Sequence, residues 1–258
     1  VIPAGVFFLD PRGMSRKTSG SYYTNPDLVN ALIESALVPV LREKLNLARK
    51  KNEDKEKALL SLDVCDPACG SGAFLIAATE YLGLELAKIR SKDEYPDETA
   101  IRHARRDVLK HCIYGVDLNP LSVELCKLGL WLTAATDDQP LNFLDHKIKC
   151  GNSLIGATPE LIRKGIPREA YEPVEGDDKE ISKTRKKEWD KYTKNKAEHE
   201  GQMSFQQVVA ADRTLQATDD IDEMTENSNE EIEALKRKYL EQRENRDFLH
   251  EKMLADYW

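Results

Sequence analysis

The chain has 258 residues, which is enough for one substantial hydrophobic core. Its net charge of −8 excludes a protein whose whole surface binds nucleic acid, because phosphate binding needs clustered lysine and arginine. No apolar run approaches the roughly 18 to 20 residues of a membrane helix and no export signal is recognisable, so we expect a cytoplasmic protein without membrane contact.

The first 24 residues are predicted to be an irregular segment that its aromatic side chains hold in place. Apolar residues at helical spacing predict a helix from Asp27 to about Lys50. The short apolar run from Leu59 to Cys65 predicts the first strand, and a glycine-rich turn follows it. A helix from Ala73 to about Ala87 completes this strand, loop and helix unit.

Two further units follow. A basic helix is predicted over 100–110, a strand over 112–116, a helix over 121–134 and a third strand over 146–150. Basic residues cover much of the surface of the predicted helix over 100–110. We interpret them mainly as a solvent-exposed face, with contact to phosphate as the alternative. They are Arg102, His103, Arg105, Arg106 and Lys110.

Strands that alternate with helices, with polar turns at the same end, predict an α/β fold with a mainly parallel sheet. Ligands of such sheets bind at the carboxyl ends of the strands. Beyond about Pro167 the sequence becomes highly charged and helical in composition, which predicts a charged helical C-terminal arm. The predicted parts are an N-terminal segment (1–24), an α/β domain (25–166) and the arm or insertion (167–258).

The five cysteines are odd in number and show no paired C-x-x-C spacing of the kind that zinc or redox sites use. We therefore expect reduced, mostly packed thiols and no metal site. The five are Cys65, Cys69, Cys112, Cys126 and Cys150.

The segment Asp66-Pro-Ala-Cys-Gly-Ser-Gly72 joins the first strand to its helix. Its glycines let the backbone approach a ligand, the helix N-terminus favours a carboxylate, and Asp66 can accept hydrogen bonds from an ammonium. The methionine moiety of S-adenosylmethionine carries both groups and fits such a loop. The dinucleotide fingerprint G-x-G-x-x-G is not matched, because Leu75 stands three residues after Gly72, and this disfavours a NAD-dependent oxidoreductase.

Polar residues also end the other two strands. Asp117 lies where a carboxylate can accept hydrogen bonds from both hydroxyls of a ribose. Leu118 can pack on an adenine face, and Asn152 can offer amide hydrogen bonds to the edge of the base. Each position alone is also typical of ordinary strand-end turns, so the prediction depends on their combination.

Four segments, in this order, resemble the successive motifs of gamma-class adenine-N6 DNA methyltransferases. The likeness covers about residues 18–160 and is to the large single-chain type IIG restriction-modification enzymes and the related phage-exclusion methyltransferases. It implies a Rossmann-like fold, S-adenosylmethionine as cofactor, and double-stranded DNA as the partner of the parent enzyme. The segments are Gly20-Ser-Tyr-Tyr-Thr24, Asp66-Pro-Ala-Cys-Gly-Ser-Gly72, Gly115-Val-Asp-Leu-Asn-Pro120 and Gly151-Asn-Ser-Leu154.

The resemblance assigns a role to each of these positions. It implies that Tyr23 and Thr24 close over the methionine end of the cofactor, and that Asp117 binds the ribose. Leu118 would line the adenine pocket, and Asn152 stands where the family often has Asp. The cradle of the cofactor would be formed by Asp66, Ala68, Gly70 and Gly72.

The resemblance also implies a catalytic motif that we do not find. In the family an Asn or Asp-Pro-Pro-aromatic motif accepts hydrogen bonds from the adenine amino group and stacks on the flipped base. No Pro-Pro pair occurs in the sequence, and Asn25-Pro26 and Asn119-Pro120 lie at other places in the motif order. We therefore assign no catalytic residue and expect a fragment, inactive alone, that works with the remaining part of its parent polypeptide.

Other functions stay open at this point. Methyltransferases for glutamine in protein or for a base in RNA share the cofactor half, and the acceptor motif that would separate them is missing. A non-catalytic module that keeps the cofactor fold for sensing or assembly is an alternative from another class.

Overall fold

The computed structural model describes residues 24–158, 160–161, 167–173, 175–199, 220–246, 248–249 and 252–253. The chain divides into two compact units. The first comprises the residues up to Ser153 together with Glu226–Ile232, and the second comprises Leu154–Thr225 together with the residues from Glu233 onward.

The first unit begins with helix α1 (Pro26–Leu32), a π-helical turn (Ile33–Leu37) and helix α2 (Val38–Lys51), which follow one another without a break. Asn25 caps α1, because its side chain accepts a hydrogen bond from the Asp27 N–H at 2.9 Å. This confirms the predicted first helix.

The predicted first strand is wrong over its first residues. Leu59 and Leu60 belong to helix α3 (Lys55–Leu60), and strand β1 covers only Val64–Asp66. The side chain of Asp54 caps this helix by accepting from the Glu56 N–H at 2.9 Å, and straight-chain residues follow it. Leu59 is apolar because it enters the core from a helix, where its side chain is fully buried.

The sheet has three parallel strands in the order β1-β2-β3. Asp66 pairs with Gly115, and Asp117 pairs with Cys150, so the strands end at one edge. The fold is therefore mixed α/β, mostly helical, with a small parallel sheet, as predicted in class. The remaining elements of this unit are helix α4 (Ala73–Ser91), helix α5 (Glu98–Cys112), strand β2 (Ile113–Asp117), helix α6 (Pro120–Ala134) and strand β3 (Ile148–Cys150).

Helices α4 and α5 pack closely against each other in the core. Gly83 on α4 allows this approach, since a Cβ placed there would lie 3.0 Å from the Cα and 3.1 Å from the backbone nitrogen of Arg105. The fully buried Leu82, Leu86 and Leu109 fill the same region.

Arg106 corrects the interpretation of α5 as a helix with an exposed basic face, because only 5% of this residue is exposed. Its guanidinium donates to the backbone oxygen of Pro140 and, at 2.6 Å, to that of Glu226. The Asn142 amide in turn donates to the buried Glu226 carboxylate. Burial lowers the pKa of Arg106, and the nearby Glu226 opposes this effect. The other arginines of the helix, Arg102 and Arg105, face Glu98.

The described part of the second unit contains a short 3-10 helix (Arg168–Tyr171) and helix α7 (Lys179–His199). Arg168 pairs with Asp190 at 2.8 Å, and Lys186 pairs with Glu172 at 2.8 Å. Helix α8 (Asn229–Glu244) has its first residues in the first unit. The charged C-terminal arm itself stays a prediction. None of the helices described here is long and apolar enough to cross a membrane.

Replacing Arg106 by alanine is expected to destabilise the chain by about 3 kcal/mol, because the backbone oxygens of Pro140 and Glu226 lose their charged donor. Arg102→Ala on the same helix is the control and should cost less than about 0.5 kcal/mol, since its ion pair is solvent-exposed. Urea unfolding followed by tryptophan fluorescence measures both values. Equal losses in the two variants would contradict the buried role of Arg106.

Candidate cofactor-binding site

The glycine-rich loop between β1 and α4 folds back on the end of its own strand. The Asp66 carboxylate accepts a hydrogen bond from the Ala68 N–H at 3.0 Å through Oδ1. Among the described residues, no hydrogen bond is donated to its second oxygen, Oδ2. Asp66 can therefore hold the turn with one oxygen and present the other to a donor from outside the protein.

Asp117 connects this loop to the second strand. Its Oδ2 accepts from the Gly70 N–H at 2.9 Å, and its Oδ1 accepts from the Asn119 N–H at 2.8 Å. The Cys69 N–H also reaches the β2 backbone, at the Val116 oxygen, at 2.9 Å. Both carboxylate oxygens of Asp117 keep a lone pair beyond these bonds, so the residue can bind the loop and still accept further hydrogen bonds.

The third strand joins the same edge of the sheet. The Gly151 N–H donates to the backbone oxygen of Asp117 at 3.0 Å, which places the exposed Asn152 one residue further along. Leu118 is 67% exposed although its side chain is apolar. An exposed leucine beside a carboxylate and an amide provides the mixed surface that an adenosine group needs.

The two loop glycines play different structural roles, although both have a positive φ, +54° at Gly70 and +89° at Gly72. A Cβ at Gly70 would meet nothing within 4 Å, so this position faces open space and a ligand can approach its backbone. A Cβ at Gly72 would lie 2.6 Å from the Cys126 sulfur. Gly72 therefore belongs to the packing beneath the loop, whereas Gly70 lies on the accessible side.

Two buried thiols, Cys69 and Cys126, lie beside the glycine-rich loop on its core side. The sequence did not predict that they are neighbours. The Cys69 thiol donates to the Gly70 backbone oxygen at 3.8 Å. The neighbouring Cys126 lowers the pKa of Cys69, whereas Cys69 and burial raise the pKa of Cys126. Only the location of Cys69 inside the glycine-rich motif could have indicated this arrangement.

The remaining predicted site residues are placed as follows. Thr24 is partly exposed and immediately precedes the α1 cap, whereas Tyr23 lies outside the described residues. Ala68 is exposed, and its backbone N–H is already used by Asp66. The described residues contain no group of three or more His, Cys, Asp or Glu side chains suited to a metal ion.

These residues fit a cofactor that has cationic and hydroxyl groups. Asp66 and Asp117 supply two carboxylates at neighbouring strand ends, and the Gly70 N–H contacts Asp117 with open space above the Gly70 Cα. Carboxylates bind an ammonium or a pair of hydroxyls with charge-assisted hydrogen bonds. The edge of the sheet therefore has a surface of hydrogen-bond acceptors next to an apolar surface.

Two protein families match the chain. The family described as MmeI, DNA-methyltransferase domain, matches residues 42–155, which is less than half of the chain. The Eco57I restriction-modification methylase matches residues 111–252, which is more than half of the chain. The chain therefore belongs to the Eco57I restriction-modification methylase family, and the predicted resemblance is confirmed.

Relatives agree with this family. A protein of Methanocaldococcus jannaschii, assigned as a type II restriction enzyme and methyltransferase, is 26% identical over 187 residues, which are 58% of this chain and 16% of the relative. The type II restriction enzyme and methyltransferase RM.Eco57I of Escherichia coli is 29% identical over 126 residues, 42% of this chain and 12% of that protein. The chain thus spans a small part of these relatives. No solved structure matches it significantly.

The different roles of the two glycines can be tested by stability. Gly72→Ala is expected to cost about 3 kcal/mol, because a left-handed backbone and a buried clash with Cys126 add up, whereas Gly70→Ala should cost only about 1 kcal/mol of backbone strain. Urea unfolding measures both. Adding Cys126→Ala to Gly72→Ala should restore part of the loss, and strict additivity of these two changes would contradict the contact.

The Cys65 thiol reports on Asp66. Burial raises the pKa of Cys65, and the adjacent Asp66 carboxylate raises it further, so less of this thiol is thiolate at a given pH. In Asp66→Asn, Cys65 is expected to react faster with a disulfide reagent at pH 8, by a factor on the order of two. The exposed Cys150 is the internal control and should keep its rate. An unchanged Cys65 rate would contradict the coupling.

Proposed function

We propose that this chain is the S-adenosylmethionine-binding part of a restriction-modification methyltransferase that methylates adenine N6 in double-stranded DNA. The hydrogen bond from Gly70 to Asp117 carries the proposal, because it holds the glycine-rich loop against the second strand with the two carboxylates at one edge. Membership of the restriction-modification methylase family supports the same reaction class.

In this proposal the residues at the edge of the sheet bind different parts of the cofactor. The free oxygen of Asp66 accepts hydrogen bonds from the cofactor's ammonium, while the open side of Gly70 leaves room for its backbone. Asp117 accepts from the ribose hydroxyls with the lone pairs that its two backbone contacts leave. Leu118 covers an adenine face, and Asn152 hydrogen-bonds to the base edge. Thr24 and Tyr23 close over the methionine end.

When bound, S-adenosylmethionine supplies an electrophilic methyl group. The chain's own part is to bind and orient that donor through Asp66, Asp117 and the Gly70 loop. The acceptor chemistry belongs to the Asn or Asp-Pro-Pro-aromatic motif, which the sequence lacks and which we place elsewhere in the parent polypeptide. The chain alone is therefore expected to bind cofactor and to leave DNA unmethylated.

Calorimetric titration of the chain with S-adenosylmethionine tests the cofactor site. The wild-type chain should bind saturably, and both Asp66→Ala and Asp117→Ala should weaken binding at least tenfold, because each removes a charge-assisted hydrogen bond worth about 1.5 to 3 kcal/mol. Asp63→Ala is the matched control, because Asp63 is exposed and lies only three residues before Asp66.

Three outcomes would contradict the proposal. Equal weakening by Asp63→Ala would show a general charge effect. Binding of NAD without binding of S-adenosylmethionine would remove the methyl-donor assignment. Methylation of protein or RNA, but not of DNA, by the parent enzyme would replace the acceptor while keeping the donor site.

A further inference from the structure

Helix α7 carries a row of four lysines at every fourth position. Lys179, Lys183, Lys187 and Lys191 are all exposed, and residues four apart are neighbours on a helix surface. With a rise of about 1.5 Å per residue, successive lysines are about 6 Å apart along the axis. The four together form a band about 18 Å long.

Two acidic side chains of the same helix form ion pairs with arginines and not with this band. Asp190 pairs with Arg168, and Glu188 pairs with Arg185. Among the described residues, none forms an ion pair with any of the four lysines. Glu180 lies nearby in the first turn, where the helix dipole favours an acidic side chain.

The charge of this helix is opposite to that of the chain. Residues 179–199 contain eight Lys or Arg and four Asp or Glu, which gives a net charge of +4, while the whole chain has a net charge of −8. Like charges on successive turns repel one another, and a band of them is typical of a surface that meets a polyanion.

We propose that the lysine band of α7 (Lys179, Lys183, Lys187 and Lys191) binds the phosphate backbone of double-stranded DNA. The inference rests on the proposed function, since it names where this chain contacts the substrate of that methyltransferase. It requires no recognition of bases, because lysines bind phosphates as point charges without reading sequence.

The spacing of the band suits a regular polyanion. Each strand of the duplex presents one phosphate per about 3.4 Å of helix axis, so lysines about 6 Å apart can each reach a separate phosphate. Local binding of this kind is also compatible with the acidic chain as a whole, because the band is the part that approaches the DNA.

The test uses the full chain and a fluorescein-labelled 30-base-pair duplex of arbitrary sequence, with anisotropy measured between 30 and 200 mM salt. The test variant is Lys183→Gln, Lys187→Gln and Lys191→Gln combined. The matched control is Lys50→Gln, Lys55→Gln and Lys57→Gln combined, which removes the same charge from three exposed lysines of the first unit. Circular dichroism checks that both variants fold.

The test variant should weaken DNA binding about ten- to a hundredfold at the lowest salt, and should reduce the slope of log Kd against log salt by about 2 to 3. The control variant should keep at least two thirds of the wild-type slope. Equal effects of the two variants would overturn the proposal, as would tighter binding of polyglutamate than of the duplex.

Titration with S-adenosylmethionine separates this proposal from the proposed function. Both lysine variants should bind cofactor as the wild-type chain does. A wild-type chain that binds cofactor but no DNA would overturn the lysine proposal and leave the cofactor site intact. A chain that binds DNA through the lysines but no cofactor would overturn the cofactor site alone.

Discussion

The hydrogen bond from the Gly70 N–H to the Asp117 carboxylate is the constraint on which the candidate site depends. It joins residues that are 47 positions apart, and it fixes the glycine-rich loop to a strand rather than to solvent. Because the Gly151 N–H binds the Asp117 backbone oxygen, all three strand ends are tied to one residue. A sheet of three short strands thereby holds a site with defined geometry.

The helices supply the stability that so small a sheet lacks. The strands have three, five and three residues, whereas α4, α5 and α6 have 19, 15 and 15. Close approach at Gly83 and the buried leucines of α4 and α5 form the apolar layer beneath the sheet. The packing of Gly72 on Cys126 extends this layer to the glycine-rich loop. The candidate site therefore lies directly on the hydrophobic core.

Sequence patterns predicted the parts of this structure that depend on local chemistry. Asp66, Gly70 and Asp117 were identifiable only in combination, because each of them alone is also typical of an ordinary strand-end turn. Leu59 was predicted to lie in a strand because a short apolar run shows neither helical nor strand periodicity. In the structure it lies in a helix, which Asp54 caps. Arg106 resembled a surface residue because its acceptor at Glu226 lies 120 positions away, beyond the reach of any local pattern.

Ser153 and Glu226 both belong to the first unit, although they lie far apart in the sequence. The entropic cost of closing the loop between them grows only with the logarithm of its length, by about 0.6 kcal/mol per doubling. Evolution can therefore lengthen, shorten or exchange this stretch with little effect on the sheet. The lysine-bearing helix lies in this stretch, so enzymes with a common donor site could acquire different contacts to DNA.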